Sequence, residues 1–139
     1  MGSASQHLAL HGAIVLILGM LLGIPYASAV KREAAAHIVN AWRRAHWSLP
    51  IAGTLMLVIA ALLPSMKVAT FVTWLITIAL TVSAYGFSVS LPLAAITGQR
   101  GPAAGRTGLG RLVHLGNIVG AVMSMIGLSG LLYAASASL

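Results

Sequence analysis

The sequence predicts an all-α integral membrane protein, a four-transmembrane-helix bundle forming one domain over residues 1–139. Its composition is 59% hydrophobic and only 6% charged, whereas soluble domains carry about 25% charged residues. Its mean hydropathy is +0.98. The apolar residues form four runs, each close to the roughly 20 residues that a membrane span requires. Only short loops remain between them, so no separate soluble domain is expected.

The first span is predicted at about residues 8–30. Gly19 and Gly23 have the GxxxG spacing, which permits close backbone contact with a neighbouring helix. The A-x-A pattern at residues 27–29 is typical of a signal-peptide cleavage site. No Lys or Arg precedes Lys31, however, and a signal peptide requires a basic N-terminal region. We therefore expect the span to be retained.

The second span is predicted at about residues 47–63, with Pro50 in its first turn, where a missing N–H costs least. Residues 31–46 precede it and are predicted to form an amphipathic linker along the membrane surface. The linker holds four basic residues and Glu33, the only acidic residue of the chain. His37 is expected to be solvated there. The LPSMK turn that follows should make the second and third spans antiparallel neighbours.

The third span is predicted at about residues 68–91, ending before Pro92. It carries hydroxyl-bearing residues three or four positions apart, which places them on one face of a helix. A polar stripe of this length favours an inward-facing lining. The alternative is that each Ser or Thr bonds to a carbonyl of its own helix. The stripe consists of Thr70, Thr73, Thr77, Thr81, Tyr85 and Ser88.

A Gly-rich loop at residues 98–110 leads to the fourth span, predicted at about residues 111–134. This span repeats a pattern of the second span and thereby suggests two parallel helical hairpins. The matched residues are Arg43, His46, Gly53 and Met56 in one copy and Arg111, His114, Gly120 and Met123 in the other. Small residues of the fourth span could also form the contact face of a homo-oligomer. They are Gly116, Gly120 and Ser124.

The basic residues predict the orientation of the chain. Seven of the eight Lys and Arg residues follow the first or third span or begin the fourth, and only Lys67 lies between the second and third. Because basic loops stay in the cytoplasm, we expect a multi-pass protein of the inner (cytoplasmic) membrane with both termini outside. His46 and His114 should lie near the cytoplasmic face and His11 near the opposite one. The net charge of +7 then reflects topology in a lipid bilayer, and no nucleic-acid partner is expected.

Residue types that are missing exclude several classes of function. The chain has no cysteine, and its one acidic residue, Glu33, is in a predicted loop. The chain therefore lacks the membrane carboxylate that a cation-coupled transporter requires. It also lacks the acidic residues that paired-carboxylate and Ser/His/Asp catalysis require. A metal or metallo-cofactor held by imidazole remains possible.

His46 is the strongest ligand candidate. A haem requires an axial ligand such as His, and guanidinium groups can neutralise its propionates. Arg43 and Arg44 lie within one turn of His46, and Arg111 of the fourth span could contribute as well. The alternative is that these residues are ordinary interfacial residues, since Arg and aromatic side chains are favoured at membrane surfaces.

Several segments resemble, in order and spacing, the styrene oxide isomerase family. They are the HG pair at residues 11–12, RRAHWSLPIAG at 43–53, the LPS turn at 63–65, AYGF at 84–87 and QRG at 99–101. The resemblance is clear over the first three spans and general over the fourth. It implies a four-span membrane protein that binds haem b and assembles as an oligomer, such as a trimer. It also implies isomerisation of aryl epoxides to aldehydes, with ferric iron as the Lewis acid and His46 as its axial ligand.

The chain departs from the family at two polar positions. Ala52 stands where the family has Asn, and Ser88 stands where it has Tyr. We therefore expect a substrate other than styrene oxide, or weaker activity on it. Tyr85 and Asn117 could supply replacement hydrogen-bond donors, which makes Tyr85, Ser88 and Asn117 the candidate catalytic residues. Trp74 is expected on the pocket wall beside them.

Two other functions stay open at this point. A haem electron carrier or sensor would use two axial histidines, His46 with either His114 or His11, whereas an isomerase leaves one iron position free for substrate. An accessory membrane subunit would bind no cofactor at all.

Overall fold

The computed structural model describes residues 3–98 and 108–139, so Arg100 and Arg106 lie outside the described residues. Within them the structure is helical and contains no strand. The helices are α1 (Ser3–Leu21), α2 (Gly23–Lys31), α3 (Ala36–Leu62), α4 (Thr70–Thr97) and α5 (Gly108–Ser136), with a 3₁₀ turn at Leu63–Ser65. Four segments are long and apolar enough to cross a membrane, α1 and α2 together forming the first. The predicted four-helix membrane bundle is confirmed.

The linker predicted at residues 31–46 is wrong over most of its length. α3 begins at Ala36, after Ala35 in extended conformation, so His46 lies in the third turn of a continuous helix. Residues 36–49 contain no Pro or Gly and many good helix formers, so nothing interrupts the helix before the membrane. His37 is exposed in the first turn of α3 rather than in a loop.

Two prolines lie inside helices, where the sequence analysis expected helix ends. Pro50 is in the middle of α3, and Pro92 is inside α4, which continues to Thr97. Proline has no N–H to donate to the carbonyl four residues earlier. The carbonyl oxygens of His46 and Ser88 therefore lack their usual helical donors. α4 instead ends at Gly98, whose φ of 67° is in the left-handed region that glycine adopts at helix ends.

The first hairpin is formed by α1 and α2 packed antiparallel to α3. A Cβ atom on Gly53 would lie 2.6 Å from the backbone N of Leu16 and 2.7 Å from the carbonyl oxygen of Gly12. One helical turn apart on the first span, Gly19 lies against Pro50 and Gly23 against His46. The GxxxG spacing is thus confirmed as a close helix contact.

The second hairpin is formed by α4 packed antiparallel to α5. A Cβ atom on Gly116 would lie 2.9 Å from Cβ of Ser90, and one on Gly120 would lie 2.9 Å from Cε2 of Phe87. The prediction that Gly116 and Gly120 form an oligomer face is therefore wrong, because α4 of the same chain already occupies it. Ser83 adds a hydrogen bond of 2.7 Å to the carbonyl oxygen of Gly120.

The two hairpins meet through α1, α3 and α4, while α5 lies on the far side of α4 and hardly touches the first hairpin. α1 and α4 run parallel, and Thr77 Oγ1 donates to the carbonyl oxygen of Ala4 at 3.2 Å. At this end, called the terminal end, the backbone N of Lys67 donates to Ser138 Oγ at 2.9 Å. The opposite end, where α2 leads into α3, is called the loop end. The buried centre includes Leu8, Val15, Leu49, Met56, Ile76 and Leu80.

Candidate functional site

His46 points from α3 into the first hairpin near the loop end. Its Nδ1 lies 3.0 Å from the carbonyl oxygen of Gly19. A carbonyl oxygen can only accept, so Nδ1 must carry the proton. In the neutral imidazole, Nε2 then holds the lone pair. The imidazole of His46 makes no other hydrogen bond to the described residues.

The imidazole of His46 lies in a space that only a glycine leaves open. A Cβ atom on Gly23 would be 3.0 Å from Cε1 and 3.5 Å from Nε2 of His46. The ring of Tyr26 stacks on the imidazole, with centroids 6.0 Å apart and an interplanar angle of 24°. Gly19, Gly23 and Tyr26 thus fix the ring from one side of the first span.

The cationic candidates divide into two groups. Arg43 and Arg44 are exposed on the same turns of α3 as His46, beside Trp47, which is 63% exposed. Arg111 is exposed near the start of α5, which hardly touches α3. Within one chain, the structure therefore groups His46 with Arg43 and Arg44 but does not bring Arg111 to them.

These residues are of the types that a haem site requires. Metal-bound histidines commonly donate their second ring N–H to a carbonyl or carboxylate, which fixes the tautomer and the ring orientation. His46 already makes this hydrogen bond to Gly19. The exposed guanidinium groups of Arg43 and Arg44 suit the propionates. The described residues contain no cluster of three or more His, Cys, Asp or Glu, so they form no conventional multi-ligand metal site.

The three candidate catalytic residues have different partners. Ser88 Oγ donates to the carbonyl oxygen of Ala84 at 2.8 Å, within its own helix. Asn117 Oδ1 accepts from Ser90 Oγ at 2.9 Å, between α4 and α5. Tyr85 belongs instead to the α1–α4 interface. The structure therefore does not unite the three hydroxyl and amide groups in one pocket of a single chain.

The polar stripe of α4 is only partly an inward-facing lining. Thr77 is buried, but Thr70 is exposed, and Thr73 bonds to the carbonyl oxygen of Thr70. Thr81 is different, because its Oγ1 is buried and has no hydrogen-bond partner among the described residues. The same holds for Nδ1 of His114 in α5.

Sequence reasoning named His11, Tyr85 and Trp74 separately, but it missed His7 and did not predict that the four residues meet at the α1–α4 interface. His11 Nδ1 and Tyr85 Oη are hydrogen-bonded at 3.0 Å. His7, one turn before His11, lies with its ring centroid 5.5 Å from that of Trp74. The i, i+4 spacing of the two histidines was the available signal, but only the packing of α1 against α4 shows what surrounds them.

A family model described as styrene oxide isomerase matches residues 4–136. The chain belongs to the styrene oxide isomerase family. The match includes the fourth span, where the sequence analysis found only a general similarity. No curated protein and no solved structure matches the chain.

In this styrene oxide isomerase family member, the two positions at which the sequence analysis expects departures from the family pattern lie on α3 and α4. Ala52 is half-buried and packs against the hydrophobic core, where it offers no side-chain donor. Ser88 is half-buried and its hydroxyl is already bonded within α4. Neither position supplies an unengaged hydrogen-bond donor to a substrate.

Proposed function

We propose that the chain is a haem b-dependent membrane isomerase that converts an epoxide to an aldehyde. The observation that carries this proposal is the hydrogen bond from Nδ1 of His46 to the carbonyl oxygen of Gly19. It orients the imidazole and leaves Nε2 as the only ligand atom. Membership of the styrene oxide isomerase family supports the reaction class.

A bound ferric haem would supply a Lewis acid for the epoxide oxygen. His46 would hold the iron, and Arg43 and Arg44 would offset the charges of the propionates. The bond to Gly19 and the stacking of Tyr26 keep the imidazole in one orientation. This positioning matters because ligand geometry depends on the groups around the ligand.

The apolar character of the bundle suits this reaction. Conversion of an epoxide to an aldehyde moves a hydride within the substrate, so no atom is gained and no protein base is needed. The only acidic residue, Glu33, is exposed between α2 and α3. The helices therefore have to exclude water and hold the substrate, which is what an apolar cavity does well.

The substrate in this proposal is a small hydrophobic epoxide, aryl or similar, that enters from the lipid. Of the three candidate residues, we propose Tyr85 as the one that orients it, with Trp74 on the pocket wall. Ser88 Oγ is bonded within α4 and Asn117 accepts from Ser90, so these two would contribute only if their present hydrogen bonds were exchanged. Because Ala52 and Ser88 replace a polar pair of the family, the preferred substrate should differ from styrene oxide. A homo-oligomer, such as a trimer, would add surfaces that a single chain lacks.

The test is turnover of a panel of aryl and alkyl epoxides by ferric and dithionite-reduced protein in detergent, with aldehyde as the readout. Activity should require the ferric form and should fall to background in His46→Ala. His37→Ala is the matched control, since His37 is exposed and remote from Gly19 along the helices. Turnover that survives His46→Ala or reduction of the iron would contradict the Lewis-acid role.

A haem electron carrier or sensor is the second candidate, and one observation favours it. Nδ1 of His114 is buried and has no hydrogen-bond partner among the described residues, so it could bind an iron ion. Within one chain, however, α5 hardly touches α3. His11 precedes Gly19 by eight residues, which corresponds to about 12 Å along α1. A low-spin ferric spectrum that does not respond to added ligands would establish the carrier, and a high-spin spectrum that does respond would exclude it.

A further inference from the structure

A pair of histidines lies on α1 near the terminal end, away from His46. His7 and His11 are one helical turn apart, and their rings lie nearly parallel, with centroids 6.4 Å apart and an interplanar angle of 20°. His7 is exposed and His11 is half-buried. Neither residue is a proposed ligand of the haem iron, and His11 touches the proposed substrate site only through its hydrogen bond to Tyr85.

We propose that His7 and His11 together bind one divalent transition-metal ion of the Cu²⁺, Ni²⁺ or Zn²⁺ class, with water as the remaining ligand. Two histidines at i and i+4 on one helix face are a recurrent metal-binding arrangement. Imidazole is a preferred ligand for these ions, whereas Mg²⁺ and Ca²⁺ require oxygen ligands.

The separation of the two rings is close to what chelation requires, and a rotation of the His7 ring would bring its in-plane lone pair toward the same ion as that of His11. With nitrogen–metal distances of about 2.0–2.1 Å, two imidazoles on one ion have ring centroids about 5 to 6 Å apart, so an approach of roughly 1 Å would complete the site. His7 is exposed on the side away from Trp74, its one aromatic neighbour besides His11 among the described residues, so its side chain has room to make this approach. The ion can also reach the site from water at the terminal end.

The surroundings of His11 resemble those of a metal ligand. Its Nδ1 is hydrogen-bonded to Tyr85 Oη at 3.0 Å, so Nε2 is the ring nitrogen left for an ion. The Tyr85 ring meets the imidazole edge-on, with centroids 5.6 Å apart, which further restricts its rotation. Tyr85 is therefore a positioning residue in this proposal, and it would act on the metal through His11.

The test is titration of the untagged protein, as purified in detergent, with Cu²⁺, followed by calorimetry and by the EPR spectrum of the copper. We expect one Cu²⁺ per chain with two nitrogen ligands. His7→Gln and His11→Gln should each remove one nitrogen from the spectrum and weaken binding at least tenfold. Tyr85→Phe should keep both nitrogens but weaken binding about tenfold, as expected when an outer partner of a ligand is lost.

His37→Gln is the matched control, because His37 is a single exposed histidine and should leave Cu²⁺ binding unchanged. The far-UV circular dichroism and the thermal unfolding of each variant, measured on the same sample, report whether the protein is folded, independently of the proposed haem. The proposal is overturned if Cu²⁺ affinity and the nitrogen count are the same in His7→Gln and His11→Gln as in the parent protein. It is equally overturned if His37→Gln weakens Cu²⁺ binding or removes a nitrogen ligand from the spectrum.

Discussion

The Nδ1 atom of His46 donates a hydrogen bond to the carbonyl oxygen of Gly19 across 3.0 Å, and this bond joins the second membrane span to the first. It lies where α3 is locally weakened, because Pro50 cannot donate to the carbonyl oxygen of His46. The side chain of His46 therefore makes a hydrogen bond to another helix at the point where its own carbonyl oxygen lacks a donor within α3. This arrangement directs Nε2 and determines what His46 can bind.

In the proposed haem site, replacement of His46 should abolish haem binding. We expect His46→Ala purified from haem-replete cells to have a Soret absorbance per protein of less than about a tenth of the parent value, since a lost axial ligand leaves only apolar and propionate contacts. His11→Ala, His37→Ala and His114→Ala should keep the band. Retention of haem in His46→Ala together with its loss in His114→Ala would show that the ligand is His114 of α5.

Gly23 provides a more specific test of the site, because it changes no ligand. A Cβ atom there would be 3.0 Å from Cε1 of His46, and the branched side chain of Gly23→Val would displace the ring. We expect haem affinity to fall about tenfold, within the range seen when the groups that orient a metal ligand are altered. Gly108→Val is the control, because nothing lies within 4 Å of a Cβ at that position. Equal haem affinities in the two variants would show that the space left by Gly23 is not needed to position His46.

The sequence predicted the fold more accurately than it predicted where the helices begin and end. Apolar run length predicted four spans, and the repeat of Arg43 and His46 in Arg111 and His114 suggested two hairpins. Composition cannot show, however, that Pro50 lies inside a helix. Local sequence rules place a proline in the first turn of a helix. Pro50 is instead stabilised in the middle of α3, because its ring packs against Gly19.

The candidate site was predictable only in part, for a similar reason. His46, Arg43 and Arg44 are close in sequence and share turns of one helix, so spacing alone placed them together. The link between Tyr85 and His11 spans 74 positions in the chain and depends on how α1 lies against α4. Local patterns contain no information about such a contact.

The crossing of α1 and α3 should be sensitive to one methyl group. A Cβ on Gly53 would come within 2.6 Å of the Leu16 backbone N, and neither backbone can move aside as a flexible side chain could. We expect Gly53→Ala to destabilise the protein by about 1–3 kcal/mol, the usual cost of overpacking. Thermal unfolding in detergent would measure this, and Gly108→Ala should unfold at the parent temperature. An unchanged unfolding temperature for Gly53→Ala would exclude the close crossing.

The proposed orientation can be tested with single cysteines, since the chain has none of its own. Lys67 and Arg32 are both exposed, at the terminal and loop ends respectively. In intact cells, an impermeant maleimide should label Lys67→Cys and leave Arg32→Cys unlabelled until the membrane is broken. Labelling of Arg32→Cys alone would invert the topology, and labelling of both would contradict the four-span arrangement.

Tyr85 offers the last test, which concerns substrate orientation rather than the cofactor. Its hydroxyl lies 3.0 Å from His11 Nδ1, and a phenol can donate one hydrogen bond while accepting another. If Nδ1–H of His11 donates to Tyr85, the phenolic proton is directed elsewhere and can meet a substrate oxygen. We therefore expect Tyr85→Phe to lower kcat/KM for the preferred epoxide about tenfold, equivalent to about 1.4 kcal/mol of transition-state stabilisation.

The assay should contain a chelator, so that any ion held by His7 and His11 does not contribute to the result. Tyr133→Phe is the matched control, because Tyr133 is 60% exposed near the end of α5 and should be neutral. The two variants should keep the same Soret absorbance, which separates substrate orientation from haem loss. If Tyr85→Phe turns over every epoxide as the parent does, the donor must come from Asn117 or from another chain of an oligomer. If it instead loses haem, the α1–α4 contact supports the haem site and does not orient the substrate.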